Sequence, residues 1–276
     1  MRPSTNLGRC CLHWVKHMEH DEGFSFGIGA FETMRVADGR CLMLMEHLER
    51  LNSALEDLTI DKRVDASYLD GITMDGHLDG RILKIEVSEK NVVVNDRPVP
   101  YTAADYARGF RLRTSCIRRN ETSPFTFMKT LMHGENIMER RRARRDGYDE
   151  TLFLNTRGEI CECSSSNIFF SSEGSIVTPP VSCGMLPGIV RGFLCDRYDV
   201  TERCIMPEDL MTFDGCFITN SVMGIMPVSS IDGISFESRK AYESIRNECM
   251  EAATGRQHRW MRNPINCKMY PPTQCT

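Results

Sequence analysis

Apolar positions recur with two different spacings along this chain, and the change from one to the other marks out its elements. Residues 31–37 (FETMRVA) read as a strand, Asp38-Gly39 as a hairpin turn, and 41–45 (CLMLM) as the returning strand. From Glu46 to about Leu58 the spacing becomes helical, with Leu48, Leu51 and Leu55 on one face. Strand-like runs follow at 81–87 (RILKIEV) and 91–95 (NVVVN). Asp96 to Ala104 then reads as a crossover, because Pro98 and Pro100 discourage regular pairing.

A second set of elements starts near Gly109, where FRLRTSC predicts a strand, followed by a long helix from about Lys129 to Arg145. Short strands are expected at 151–154, 167–170 and 175–178. Leu186-Pro187-Gly188 opens a helix through about Tyr198, and 215–219 is a strand ending in a polar turn. The last helix is expected at about Ser238–Ala253, and the polar, Pro-bearing tail beyond Gly255 is expected to be poorly ordered. The pattern therefore predicts an α/β chain of two lobes: a small N-terminal lobe over 1–104, a larger one over 105–254, and a tail over 255–276. No repeat of fixed period is visible, which excludes solenoids and propellers.

Composition narrows the function classes. With 41% hydrophobic and 26% charged residues the chain is ordinary globular protein. A net charge of -4 argues against a general affinity for nucleic acid or anionic membrane. The basic run Arg140–Arg145, flanked by Glu139 and Asp146, reads as a solvated helix face. Thirteen cysteines in so long a chain, with no hydrophobic leader, fit thiols in a reducing cytoplasm. Cys10-Cys11 and Cys161/Cys163 are close groupings without zinc-site spacing, so small buried residues are expected there and no metal. No window approaches the roughly 20 apolar residues of a membrane span.

Nucleotide and hydrolase motifs fail one by one. Gly27-Ile28-Gly29 lacks a third glycine at the right spacing and precedes a strand, there is no P-loop or Gly-x-Ser-x-Gly elbow, and the histidines form no metal pair. Five segments remain. They are Phe26-Gly27-Ile28-Gly29-Ala30-Phe31-Glu32-Thr33 with Glu46-His47-Leu48-Glu49-Arg50-Leu51; Met128-Lys129-Thr130-Leu131; Gly158 to Phe169; Thr178-Pro179-Pro180 with Leu186-Pro187-Gly188-Ile189-Val190-Arg191; and Thr219 to Val228. In content and order, over roughly residues 24–250, they resemble the class-IV (fold-type IV) aminotransferase family, which uses pyridoxal 5'-phosphate (PLP). The resemblance implies a small N-terminal α/β lobe, a larger β-barrel-like lobe with flanking helices, and a homodimer.

Each segment has its own physical logic. PLP chemistry needs a lysine amine that forms an imine and shuttles a proton, and Lys129 stands among Phe125, Phe127, Met128 and Leu131, which could desolvate it. The plainer reading of Lys129 is an exposed lysine at a helix start. A carboxylate beside the ring nitrogen keeps it protonated, and Glu162 lies in an otherwise uncharged run of small residues where an unpaired charge is costly. Alone, Glu162 reads equally as an exposed strand residue. A phosphate needs backbone amides at a helix start, and Gly188, Ile189 and Val190 supply one. The resemblance adds Arg50 and Ser221 to that cup, although Arg50 could instead pair with Glu46, and Arg191 reads as a second phosphate partner or, more readily, as a structural ion pair.

Three activities share the scaffold: branched-chain aminotransferases, D-amino-acid aminotransferases, and 4-amino-4-deoxychorismate lyases of folate synthesis. The run Asn220-Ser221-Val222-Met223-Gly224-Ile225-Met226-Pro227-Val228 looks more like the lyase version, since the aminotransferases usually carry an acidic residue in place of Gly224. Ser88-Glu89-Lys90-Asn91 lacks the arginine-histidine clamp of the D-amino-acid enzymes. Lys84 and Arg97 are candidate partners for a substrate carboxylate, with Asn220 and Val222 as further substrate contacts. The expected reaction is therefore the lyase's, with amino transfer from branched-chain or D-amino acids as the alternative and a PLP-fold scaffold as a minor one. Ile28, Met132 and His133 stand where relatives often carry Asp, Asn and Tyr.

Overall fold

The computed structural model describes residues 18–74, 76–243 and 245–246. The chain divides between Val99 and Pro100 into two compact units, inside the expected crossover. Cys10-Cys11 and the expected tail lie outside the described residues, as does most of the last expected helix, of which 240–243 and 245–246 are helical.

The first unit contains α1 (Glu22–Phe26), β1 (Gly29–Ala37), β2 (Arg40–Cys41), α2 (Leu44–Asp57), α3 (Ala66–Thr73), β3 (Arg81–Ser88) and β4 (Val92–Pro98). Its sheet runs β2-β1-β3-β4, antiparallel throughout. Asp38 and Gly39 take φ of 51° and 70°, the two positive values that a tight two-residue hairpin requires. Every second residue of β1 from Ala30 to Val36 is buried, and α2 packs on that strand through Leu48, Leu51 and Leu55. Glu32 falls on the same buried face, which puts a carboxylate into an apolar layer.

Two expectations are corrected here. The returning strand stops at Cys41 instead of Met45, because Met43 turns left-handed (φ 53°) and the unbranched Leu and Met residues after it enter α2. Pro98 does not interrupt β4, which is an edge strand where a missing N–H removes no ladder bond.

The second unit contains α4 (Ala103–Arg108), β5 (Phe110–Arg119), α5 (Gly134–Arg145), β6 (Glu150–Asn155), β7 (Ile160–Cys163), β8 (Asn167–Ser172), β9 (Ser175–Thr178), α6 (Ile189–Arg197), β10 (Val200–Glu202), β11 (Gly215–Asn220), β12 (Gly224–Ile231) and β13 (Ile234–Ser235). Strands β8-β11-β12-β5-β6-β7 neighbour one another in that order, and β7 pairs back onto β8, so six strands close into a barrel. β5 is parallel to both β12 and β6, and the other barrel pairings are antiparallel. Alternate residues such as Leu152 and Leu154, Ile168 and Phe170, and Met226 and Val228 form one buried cluster. On the opposite face of β8 and β11, Phe169 and Phe217 sit in register and stack at 5.0 Å.

The helix expected from Lys129 begins only at Gly134, because Thr130 is committed to an isolated β-bridge, which a helical turn cannot include. The basic run is not wholly solvated either. Arg141, Arg144 and Arg145 are exposed, but Arg140 is partly buried, 3.7 Å from Glu150 and 3.5 Å from the Tyr101 hydroxyl. No helix among the described residues is long and apolar enough to cross a membrane.

Candidate active site

Glu162 lies on β7 and is 6% exposed. Its Oε1 accepts a hydrogen bond from Arg119 Nη2 at 3.0 Å, and its Oε2 accepts one from the Leu186 amide at 3.2 Å. Burial pushes the Glu162 carboxyl up to about 7, against the opposing pull of Arg119, the Leu186 amide and the Lys129 ammonium. Desolvation thus outweighs three favourable partners, and the carboxyl has capacity for one more cationic neighbour. Arg119 is oriented from behind by the Phe153 ring, 4.6 Å from its guanidinium, and its Nε is buried without a hydrogen-bond partner. The adjacent Cys161 and Cys163 are fully buried, and burial pushes both thiols far up, so both stay protonated.

Gly188 is the N-cap of α6, and no side chain caps that helix start, so the first-turn amides of Ile189 and Val190 are open to an anion. A Cβ at Gly188 would lie 1.9 Å from Asn167 Oδ1, so only glycine fits there. Asn167 pairs across the sheet with Glu162 and donates to the Leu186 carbonyl at 2.9 Å. The acid and the helix start are therefore tied through a single asparagine.

Ser221 sits in the turn between β11 and β12, which is folded round Asn220. The Asn220 Oδ1 accepts from the amides of Val222 (2.9 Å) and Met223 (2.8 Å), and its Nδ2 donates to Ser165 O (3.0 Å) and Ser166 Oγ (3.1 Å). Asn220 is thus committed to holding the turn against the segment that follows Glu162, and Val222 is buried. Beside them, Thr219 Oγ1 is buried with no hydrogen-bond partner. An acid that favours a protonated neighbour, an uncapped helix start and an unpartnered hydroxyl fit a ligand with a ring nitrogen at one end and a phosphate at the other.

Lys129 stands half-buried between a 3-10 turn at Pro124–Thr126 and α5, and its ammonium acts on Glu162. The apolar wall expected round it is smaller than the sequence implied, since Phe127 is buried but Phe125 is 38% exposed. Of the remaining candidates, Arg50, Lys84 and Arg97 belong to the first unit and Arg191 to the second. Arg50 pairs with Glu32 rather than Glu46, through Nε at 2.7 Å and Nη2 at 2.8 Å, and His47 Nδ1 meets the same carboxylate at 2.6 Å. Lys84 lies over the Phe31 ring and 2.6 Å from Glu86, and Arg97 is exposed. Arg191 is a structural cation bonded to Pro179 O and Glu202. Arg119, Asn167 and Thr219 were not singled out by sequence reasoning. Asn167 follows the Cys-Ser-Ser-Ser run, and nothing local distinguishes Arg119 from other strand-end arginines.

Comparison with known proteins gives a consistent picture. The family model for amino-transferase class IV matches residues 29–231. The aminodeoxychorismate lyase of Bacillus subtilis is 28% identical over 242 residues, 79% of this chain and 83% of that protein. Among solved structures, the branched-chain amino acid aminotransferase from Escherichia coli superposes with a TM-score of 0.75 at 20% identity, covering 89% of this chain and 92% of that one. The PLP-bound form of a hypothetical aminotransferase from Mycobacterium tuberculosis gives 0.73 at 22% identity, covering 86% and 92%.

Proposed function

The chain belongs to the class IV amino-transferase family, and from that premise we propose that it is a PLP-dependent enzyme converting 4-amino-4-deoxychorismate to p-aminobenzoate and pyruvate. The observation that carries the cofactor reading is Glu162, a buried carboxyl raised to about 7 that feels the Lys129 ammonium and is fastened to the uncapped start of α6. The run over residues 220–228, in the turn after β11 and the start of β12, supports the lyase in particular, since Gly224 stands where the aminotransferases usually carry an acidic residue.

When bound, PLP supplies an electron-poor ring that delocalises charge from the substrate carbon. The protein's own residues do the rest. Glu162 would keep the proton on the ring nitrogen, and Arg119 orients Glu162 and favours its ionised form. The Ile189 and Val190 amides, with the Ser221 hydroxyl, would hold the phosphate, and Gly188 would allow its close approach. Lys129 would hold the cofactor through its amine and, when that amine is free, would take the proton from the substrate's C4. Departure of the enolpyruvyl oxygen makes the substrate ring aromatic. Arg50 as a phosphate partner, Lys84 as a carboxylate partner and a homodimer enter this reading through the resemblance, Arg97 is a second carboxylate candidate, and a cytoplasmic setting is read from the cysteine usage.

The test is direct. Purified protein incubated with 4-amino-4-deoxychorismate and PLP, without any 2-oxo acid, is expected to release pyruvate and p-aminobenzoate in equal amounts. Lys129→Ala is expected to abolish the release. Transfer of nitrogen from leucine or D-alanine to 2-oxoglutarate, with no pyruvate formed from the chorismate derivative, would establish an aminotransferase instead.

A further inference from the structure

Cys183 and Cys204 are 21 positions apart in the chain, yet their sulfurs lie 3.7 Å apart. Cys183 is buried at the end of a 3-10 turn (Val181–Cys183), and Cys204 is exposed just after β10. Both backbones are anchored. The Cys183 carbonyl accepts from Asn155 Nδ2 at 3.1 Å and from Cys161 Sγ at 3.0 Å, and Ile205 O, next to Cys204, accepts from the Ile160 amide at 2.8 Å. Glu159 completes a compact cluster, its Oε2 3.6 Å from Cys183 Sγ.

Three such groups could hold a soft cation, but the charge balance opposes it. The Glu159 carboxylate already takes two hydrogen bonds from Arg157, at 3.0 and 2.7 Å, and one from Asn155 at 2.6 Å. A guanidinium held against the cluster repels a metal ion and leaves the sulfurs as the reactive pair.

We propose that Cys183 and Cys204 form a reversible dithiol–disulfide couple, oxidised by exchange with a small-molecule disulfide such as oxidised glutathione. The exposed Cys204 thiolate attacks one sulfur of the oxidant, forming a mixed disulfide and releasing one glutathione thiolate. Cys183 Sγ, 3.7 Å away, gives up its proton to the released glutathione thiolate or to solvent base, attacks the Cys204 sulfur as the thiolate and expels the second glutathione. Two protein thiols are oxidised, one external disulfide is reduced to two thiols, and the released protons go to the leaving thiolates and solvent. Closing the sulfurs from 3.7 Å to about 2.05 Å needs an approach of only about 1.7 Å. The bond would tether the turn just before Leu186, whose amide meets Glu162, to the segment beyond β10. Burial pushes the Cys183 thiol up, so the buried partner stays protonated until Cys204 has reacted.

The experiment uses the full chain loaded with PLP, equilibrated against graded ratios of oxidised to reduced glutathione, alkylated, and mapped by peptide mass without reduction. A Cys183–Cys204 linked peptide is expected to form at lower oxidant than any modification of Cys41, Cys161, Cys163 or Cys216, and to raise Tm by roughly 5 °C or more. Cys183→Ser should leave glutathione on Cys204, and Cys204→Ser should leave Cys183 unmodified. Wild-type protein that stops at a glutathione adduct on Cys204 would overturn the proposal. So would protein that retains stoichiometric added zinc and keeps both sulfurs resistant to oxidant. Neither outcome depends on which reaction the enzyme catalyses.

Discussion

Two carboxylates equally hidden from water, Glu32 and Glu162, are driven in opposite directions by their partners. Burial opposes ionisation of both, but the two-pronged contact of Arg50 and the His47 ring hold Glu32 well below the usual carboxylate range, and the single Arg119 bond leaves Glu162 raised. Glu32 is accordingly a structural anion, and Glu162 is poised to answer a ligand. Its ordinary value is 4.5 and its folded value about 7, so its contribution to stability is fully present below 4.5 and is lost as pH rises through 7. The loss amounts to roughly 3 kcal/mol at most. In the PLP-free protein, the Tm of wild type relative to Glu162→Gln is therefore expected to fall between pH 4.5 and 7.5 in a thermal-shift series. A difference that stays flat across that window would show that Glu162 ionises normally. Lys129 and Glu162 became candidates only through the order of the five segments, because each alone reads as an exposed residue. Arg119 was not legible in the sequence, since its partner lies 43 positions away and is set by strand register.

Among the elements, the start of α6 makes the sharpest demand on a single position. Gly188→Ala pushes a methyl into the Asn167 side chain, which also holds the Leu186 carbonyl and pairs with Glu162. A loss of about 1–3 kcal/mol in stability is expected from such overpacking. PLP affinity, read by absorbance titration, should fall tenfold or more. Gly192→Ala, on the same helix with nothing within 4 Å of the added methyl, should bind PLP normally and gain up to about 1 kcal/mol. Periodicity found most of these elements: β1 and its turn, α2, β3, β6, β8, α6 and β11 all lie where the apolar spacing put them. It extended α5 by five residues through Lys129, because an apolar-basic run looks helical whether or not Thr130 is drawn into a bridge. It passed over α4 although Thr102 and Asp105 form a capping box, since only six residues follow the cap.

On the scale of the whole chain, spacing tells which face of a strand is wet but not which strand lies beside it. The order β8-β11-β12-β5-β6-β7 joins segments more than a hundred positions apart, and only the family resemblance pointed to a barrel. A cofactor that binds the folded protein alone must raise its unfolding free energy, by about 2.7 kcal/mol at a hundredfold excess over Kd. Calorimetry should show Tm climbing with PLP concentration in wild type and climbing less in Lys129→Ala, which keeps the amides of α6 but cannot form the covalent link. A Tm indifferent to PLP would refute the cofactor assignment.

The drum of six strands is zipped shut by the short hairpin in which Glu162 faces Asn167. The carboxyl cannot wander without parting that seam, and the seam cannot part without carrying the carboxyl away. One proton-binding group is thus a built-in gauge of whether the cylinder is sealed, and following its titration during unfolding would report when the drum opens.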